Sequence, residues 1–229
     1  MASASRARAE LELGHFGELR EWWVGRTASD GQLQMARLVA LQRNEVSLRS
    51  EGAWTAGPSS LLEVLRLQRD EVRNCRVLRW LLDPITPHGL GAVVLERFLA
   101  DLADAGAPLL DEPHLATVET EVTRADTRAD IVVRHPRGTV VVEAKINAGE
   151  GDGQGAGLAA QWPGATLVFL TRSGAAMTSA GGSTWIRYRW RRILQHVDDA
   201  LDQASAPANR QQAHARRAVA DYLEGTRGL

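Results

Sequence analysis

The sequence predicts an α/β fold in which helices precede and flank a central sheet. Three observations carry this expectation. Apolar residues recur at helical spacing through most of the first hundred positions. Three short segments rich in Val and Ile then follow one another between residues 115 and 146. After them the order runs helix, strand, strand, helix, helix, which describes a sheet-bearing core with helical elaboration. A length of 229 residues with 44% hydrophobic content suffices for one large domain, or for a core with a helical extension.

Arg8 to Trp23 and Gln32 to Arg49 both show helical periodicity, and turn-prone Thr27 to Gly31 separates them. Together they are expected to form an N-terminal helical hairpin. Gly52, Gly57 and Pro58 end that unit, so the predicted domains are the hairpin over 1–57 and the core over 58–229. Ser59 or Ser60 caps the next helix, expected to run to about Leu82, where Asp83-Pro84 closes it. Ala92 to Ala103 resumes the helical period. Leu115 to Val122, Ala129 to Arg134 and Thr139 to Ile146 read as three antiparallel strands, the last two joined by the turn His135-Pro136-Arg137-Gly138. Beyond glycine-rich Gly149 to Gly157 come a short helix to about Trp162, strands Thr166 to Leu170 and Trp185 to Tyr188, and helices over about Arg191 to Gln203 and Asn209 to Leu223.

With 27 basic and 28 acidic residues the formal charge is −1, so no global basic field draws the chain onto nucleic acid, and any such binding needs a local patch. Cys75 is the single cysteine. It cannot form an internal disulfide, and its apolar helical setting predicts a small buried hydrophobe in a reducing compartment. The first ten residues lack the apolar run of a secretion signal, and nowhere do eighteen apolar residues follow one another; a cytoplasmic location without membrane attachment is expected.

The chemistry concentrates in RADIVVRHPRGTVVVEAKI. Side chains alternate along a strand, so Glu143 and Lys145 emerge on one face while Val142, Ala144 and Ile146 take the other. The turn at His135 to Gly138 folds the preceding strand back and brings Asp130 near Glu143. Two carboxylates so close raise each other's pKa unless a hard cation sits between them. Mg²⁺ suits that place, because it binds through one or two carboxylates plus substrate phosphate, and the Ala144 carbonyl can complete the protein ligands. Lys145 is then placed to orient a water or neutralise charge growing on a phosphate. The bland alternative is an exposed Glu/Lys pair on a half-solvated strand, which does little.

Asp130 followed after a β-turn by Glu143-Ala144-Lys145 resembles the PD-(D/E)XK nuclease superfamily, whose motif is an acid followed by (D/E)-x-K. EVRNCRVLRWLLDPITPHGLG, RADIVV, VVVEAKINAGEGDGQ, VFLTRSG and WIRYRWRRIL follow one another as in a bacterial PD-(D/E)XK family, over roughly Asp70 to Leu194. The resemblance implies a restriction-endonuclease-like core, a mixed central sheet flanked by helices. It implies a Mg²⁺-dependent nuclease, with Mn²⁺ as substitute, in which Asp130 and Glu143 hold metal and Lys145 assists. It adds Glu71 as a helical glutamate, Gln154 as the glutamine after the lysine, and Glu121 as an acid on the strand ahead. DNA cleavage in bacterial defence is the expected activity; the alternatives are a catalytically silent nucleic-acid-binding or partner module, and an RNA-cleaving toxin. A homodimer or a partner protein would dock through the N-terminal helices. No proline precedes Asp130, Ala144 replaces the usual polar residue, and Gly155 and Gly157 follow Gln154 where the family continues with a regular helix.

Other features admit two readings. GEGDGQGAG matches no phosphate-loop pattern and reads as a mobile rim loop, with Glu150 and Asp152 as solvated acids or as extra ligands. Arg187, Arg189, Arg191 and Arg192 interleave with Tyr188 and Trp190, either as a phosphate-gripping, base-stacking patch or as a strand end whose aromatics pack inward while the arginines pair with Asp198 or Asp199. His88 reads as a loop or capping residue, and no zinc motif or nucleophile elbow is present. Trp80 and Trp185 read as core; Trp22, Trp23 and Trp54 are candidates for an interface.

Overall fold

The computed structural model describes residues 2–53, 57–147 and 149–229, with side chains from residue 17 onward except that of residue 19. Trp54 lies outside the described residues. The chain forms two compact units, 1–57 and 58–229.

The first unit is one helix, α1 (Ala2–Ser50), and the expected hairpin is not formed. The Thr27 hydroxyl donates back to the Trp23 and Val24 carbonyls at 2.9 and 3.1 Å, so it bonds within the helix and does not cap a new one. Gly31, the one glycine of the segment Thr27 to Gly31, costs about 1 kcal/mol, too little to break a long helix. Trp22, Trp23, Leu33, Met35, Leu41 and Val46 are each more than half exposed.

In the second unit the helix expected from Ser59 or Ser60 to Leu82 is two. Ser60 caps α2 (Leu61–Val64). Arg66 then turns left-handed at φ 56, Leu67 N–H bonds back to the Leu62 carbonyl, and the Asp70 carboxylate accepts Arg73 N–H at 2.9 Å to start α3 (Glu71–Leu82). The buried His88 ring accepts Leu90 N–H at 3.0 Å, so it caps the loop before α4 (Val93–Asp104). Next come β1 (Thr117–Arg124), β2 (Thr127–His135), β3 (Gly138–Lys145), α5 (Gln154–Gln161), β4 (Thr166–Thr171), β5 (Trp185–Arg189), α6 (Trp190–Gln203) and α7 (Arg210–Gly225).

The strands form one mixed sheet in the order β1-β2-β3-β4-β5. β1, β2 and β3 are antiparallel neighbours, and β3, β4 and β5 run parallel. Alternation sorts the two faces. Val142, Val168 and Ile186 form one row, with Ala144, Leu170 and Tyr188 the next; these pack on α3, α4, α6 and α7 around Cys75, Leu78, Phe98, Trp190 and Tyr222. On the opposite face Val141, Leu167 and Trp185 form a row against Leu158 and Trp162 at α5.

The sheet opens at one point. The β1–β2 ladder pairs Thr120 with Ile131 and Val122 with Ala129 but omits Glu121 and Asp130, and Glu121 has φ 55. The β2–β3 ladder begins only at Ile131 and Val142. Asp130 and Glu143 therefore face each other across a fork where the strands part, a place where bent backbone re-aims side chains.

Candidate active site

Glu143 is 0% exposed, on the α5 face of β3. Its Oε1 receives Lys145 Nζ at 2.6 Å and Gln154 Nε2 at 2.6 Å, while Oε2 is buried with no hydrogen-bond partner. Asp130 turns its Oδ2 to the Ala144 N–H at 2.8 Å, the backbone donor freed where the strands diverge. Glu71, the first residue of α3, reaches the end of β3. Its Oε1 lies 3.3 Å from Lys145 Nζ, and its Oε2 accepts Ile146 N–H at 3.1 Å. The expected Asp130, Glu143, Lys145, Glu71 and Gln154 thus converge on one strand end. Glu121 does not join them: its carboxylate pairs with Arg76 at 2.7 Å and Arg128 at 3.5 Å.

Burial, and then the charge of Asp130, push the Glu143 carboxyl up to about 7. Burial likewise raises Asp130 above the ordinary carboxylate range, against the pull of Ala144 N–H and Lys145. For Lys145 burial disfavours the ammonium, but the hydrogen bond and charge of Glu143, aided by Glu71 and Asp130, outweigh it and raise the pKa. The lysine stays a cation, unsuited to act as a base and suited to face an anion.

Residues 60–157 match the family model of the PD-(D/E)XK nuclease superfamily, a span running from α2 into α5 and containing all five converging residues. This segment is similar to that superfamily. No curated protein and no solved structure matches the chain. The mixed five-stranded sheet flanked by helices, with a helix ahead of it, is the restriction-endonuclease-like fold of PD-(D/E)XK proteins. Nucleases of this superfamily typically use divalent metal ions. The residues fit such an ion: two carboxylates sit at the fork, one with an orphaned buried oxygen, and Ala144 lies between Glu143 and Lys145 in the strand. Among the described residues no three His, Cys, Asp or Glu side chains gather as a ready ligand set.

Gly155 and Gly157 have a packing reason. A Cβ on Gly155 would meet Met177 Cγ at 2.8 Å and the Ser179 carbonyl at 3.1 Å, and one on Gly157 would meet Thr127 Cγ2 at 3.2 Å. The loop after β4 presses on α5 here, with Ala156 N–H bonded to Ser179 O at 2.8 Å. Glu150, read from the sequence as a solvated acid or extra ligand of a mobile loop, is neither. Its carboxylate accepts the N–H groups of Thr178 and Ser179 at 2.8 Å and ties the two loops together. Gln154 Oε1 accepts Gly151 N–H at 3.2 Å, which fixes the amide so that its nitrogen meets Glu143. The sequence signal for this loop pairing is Ser179 and the small residues about it, too generic to read alone.

The four arginines of the second motif separate. Tyr188 and Trp190 are buried in the core, so neither stacks on a base. Arg192 donates from Nε and Nη2 to both oxygens of Asp101 at 2.8 Å, alongside Tyr188 and His196, and does not pair with Asp198 or Asp199. Arg191 lines a groove between α6 and α7. Arg187 and Arg189 are exposed and, among the described residues, carry no ion pair.

A cleft of about 390 Å³ opens beside Lys145, lined by Asn147, Glu150, Phe169, Thr171, Arg172 and Ser173 among others.

Proposed function

We propose that the chain is a Mg²⁺-dependent nuclease that hydrolyses phosphodiester bonds, most readily in DNA, with Asp130, Glu143 and Lys145 as its catalytic residues. The observation that carries this reading is the division of Glu143: Oε1 is taken by Lys145 and Gln154, while Oε2 is buried without a partner beside a second carboxylate. A buried carboxylate oxygen left so is costly by itself and is relieved by a cation.

Asp130 and Glu143, with the Ala144 carbonyl, would hold the ion. Bound there, Mg²⁺ supplies polarisation of the scissile phosphodiester and activation of water. Lys145 stays protonated, touches Glu143 on one side and Glu71 on the other, and presents its ammonium to the phosphate as negative charge grows on it. Gln154 keeps the Glu143 carboxylate from rotating. Glu71 anchors Lys145 to the backbone at Ile146.

The test is incubation of purified protein with plasmid, linear duplex, single-stranded DNA and RNA, each with Mg²⁺, Mn²⁺ or EDTA. Metal-dependent cleavage of a DNA substrate supports the reading; cleavage of RNA alone transfers the same chemistry to an RNA-cleaving enzyme. No cleavage, with no Mg²⁺ or Mn²⁺ uptake by calorimetry, leaves a binding or partner module of the same fold. No helix among the described residues is long and apolar enough to cross a membrane.

A further inference from the structure

On the α5 face of the sheet the parallel register lines up three rows. Val141, Leu167 and Trp185 form the first and are packed against α5. Two residues further along each strand lie Glu143, Phe169 and Arg187, and two further again lie Lys145, Thr171 and Arg189. Paired residues in a sheet point to the same side, so Arg187 and Arg189 share the face of Glu143 and Lys145, two strands or about 10 Å away. Between them lie the Phe169 and Thr171 positions that line the cleft beside Lys145.

A second observation fixes where the Arg189 side chain lies. The turn after β4 is drawn in by Thr171 Oγ1, which accepts the N–H groups of Gly174 and Ala175 at 2.9 and 3.0 Å. A Cβ on Gly174 would lie 2.6 Å from Arg189 Nε, so the arginine side chain lies directly over this glycine, in the turn whose neighbouring residues Ser173 and Ala175 line the cleft. The acid in that wall, Glu150, is spent on Thr178 and Ser179 and does not neutralise the arginines.

Given the nuclease reading, on which this inference rests, we propose that Arg189 and Arg187 bind backbone phosphates of the substrate strand next to the scissile one, with the strand crossing from β3 over β4 to β5. A near-neutral chain thereby confines its phosphate affinity to one face of the site. Of the motif's other arginines, Arg192 is committed to Asp101 and Arg191 lines the groove between α6 and α7.

The experiment is steady-state cleavage of the preferred substrate over a series of salt concentrations at constant Mg²⁺, for the full chain and for Arg189→Ala, Arg187→Ala, Arg189→Lys and Arg217→Ala. Arg189→Ala and Arg187→Ala should each raise KM about tenfold with kcat little changed, as expected when one charged hydrogen bond is removed. Each should also flatten the slope of log(kcat/KM) against log salt by about one unit, as expected when one fewer phosphate is neutralised. Arg189→Lys should keep most of the wild-type slope, and Arg217→Ala, a surface arginine of α7, should keep all of it. A wild-type slope and KM in both alanine variants would overturn this inference while leaving the nuclease reading intact. Failure of the wild-type chain to cleave any nucleic acid would overturn both.

Discussion

Gln154 donates from Nε2 to Glu143 Oε1 at 2.6 Å, and that hydrogen bond leaves the other Glu143 oxygen buried and unpartnered. The first helical residue after the glycine-rich loop thus joins Lys145 on one carboxylate oxygen and leaves the other free of protein partners. Groups that orient a metal ligand from outside are worth about 10–100-fold in metal affinity or activity when removed. Gln154→Ala should therefore weaken Mg²⁺ binding or cleavage by about tenfold or more, because Glu143 Oε1 loses the amide donor that orients it. Calorimetric titration alongside cleavage rates checks this; wild-type values for Gln154→Ala would remove the glutamine from the site.

The fork also makes a prediction about pH. Glu143 has its pKa raised to about 7 in the folded chain, above the ordinary glutamate value that applies when unfolded. For a raised acid, folding is favoured while the group is protonated in both states, and stability falls as pH rises from the ordinary value through the folded one. The metal-free protein should lose melting temperature between about pH 4.5 and 7.5. Glu143→Gln should flatten that decline, and Mg²⁺ should restore the wild type at the upper end. Parallel melting curves for wild type and Glu143→Gln in EDTA across that range would contradict the assigned environment.

Gly155 is where α5 meets the loop after β4, and one of the atoms nearest an added Cβ is the Ser179 carbonyl at 3.1 Å, part of the backbone. Gly155→Ala should push α5 and that loop apart, costing about 1–3 kcal/mol as overpacking does. Because Gln154 is the adjacent residue, cleavage should fall more than a general loss of stability explains. Chemical denaturation and cleavage at a temperature where the variant is folded separate the two effects. Unchanged stability would show that the loop yields freely.

Helix α1 exposes Trp22, Trp23, Leu33, Met35, Leu38 and Leu41, each by more than half. Most helical stability in proteins comes from packing, so a long helix that leaves these side chains in solvent is expected to pack in an assembly. The chain should behave in solution as an oligomer assembled through α1. Light scattering should give a mass at least twice that of one chain, falling toward one chain in Leu38→Glu/Leu41→Glu. A monomeric mass at working concentration would reassign α1 to a partner protein or to none.

Much of this is readable from residue order. The five strands and the helices α3 to α7 follow from period and turn chemistry, and VVVEAK announces by alternation that Glu143 and Lys145 share a face. Asp130 follows from counting back through the His135 to Gly138 turn. Glu71 and Gln154 follow only from resemblance, since helix periodicity says nothing of partners 74 and 11 positions away on a strand. The unbroken α1 is not legible because Thr27 bonds equally well as a turn former or back along a helix. The break at Arg66 is not legible because a left-handed arginine carries no composition signal. The alignment of Lys145, Thr171 and Arg189 depends on the parallel register of β3, β4 and β5, which no local pattern encodes.

Metal-dependent cleavage by Asp130, Glu143 and Lys145 is tested most directly by one assay. The preferred nucleic acid is incubated with Mg²⁺ or with EDTA, using the wild-type chain, Asp130→Ala and Lys145→Ala after each is shown to be folded. Cleavage is expected from the wild type, abolished by EDTA and reduced at least about a hundredfold in both variants, in line with the loss of a catalytic charge. Metal-dependent cleavage that persists at the wild-type rate in both variants would contradict the assignment.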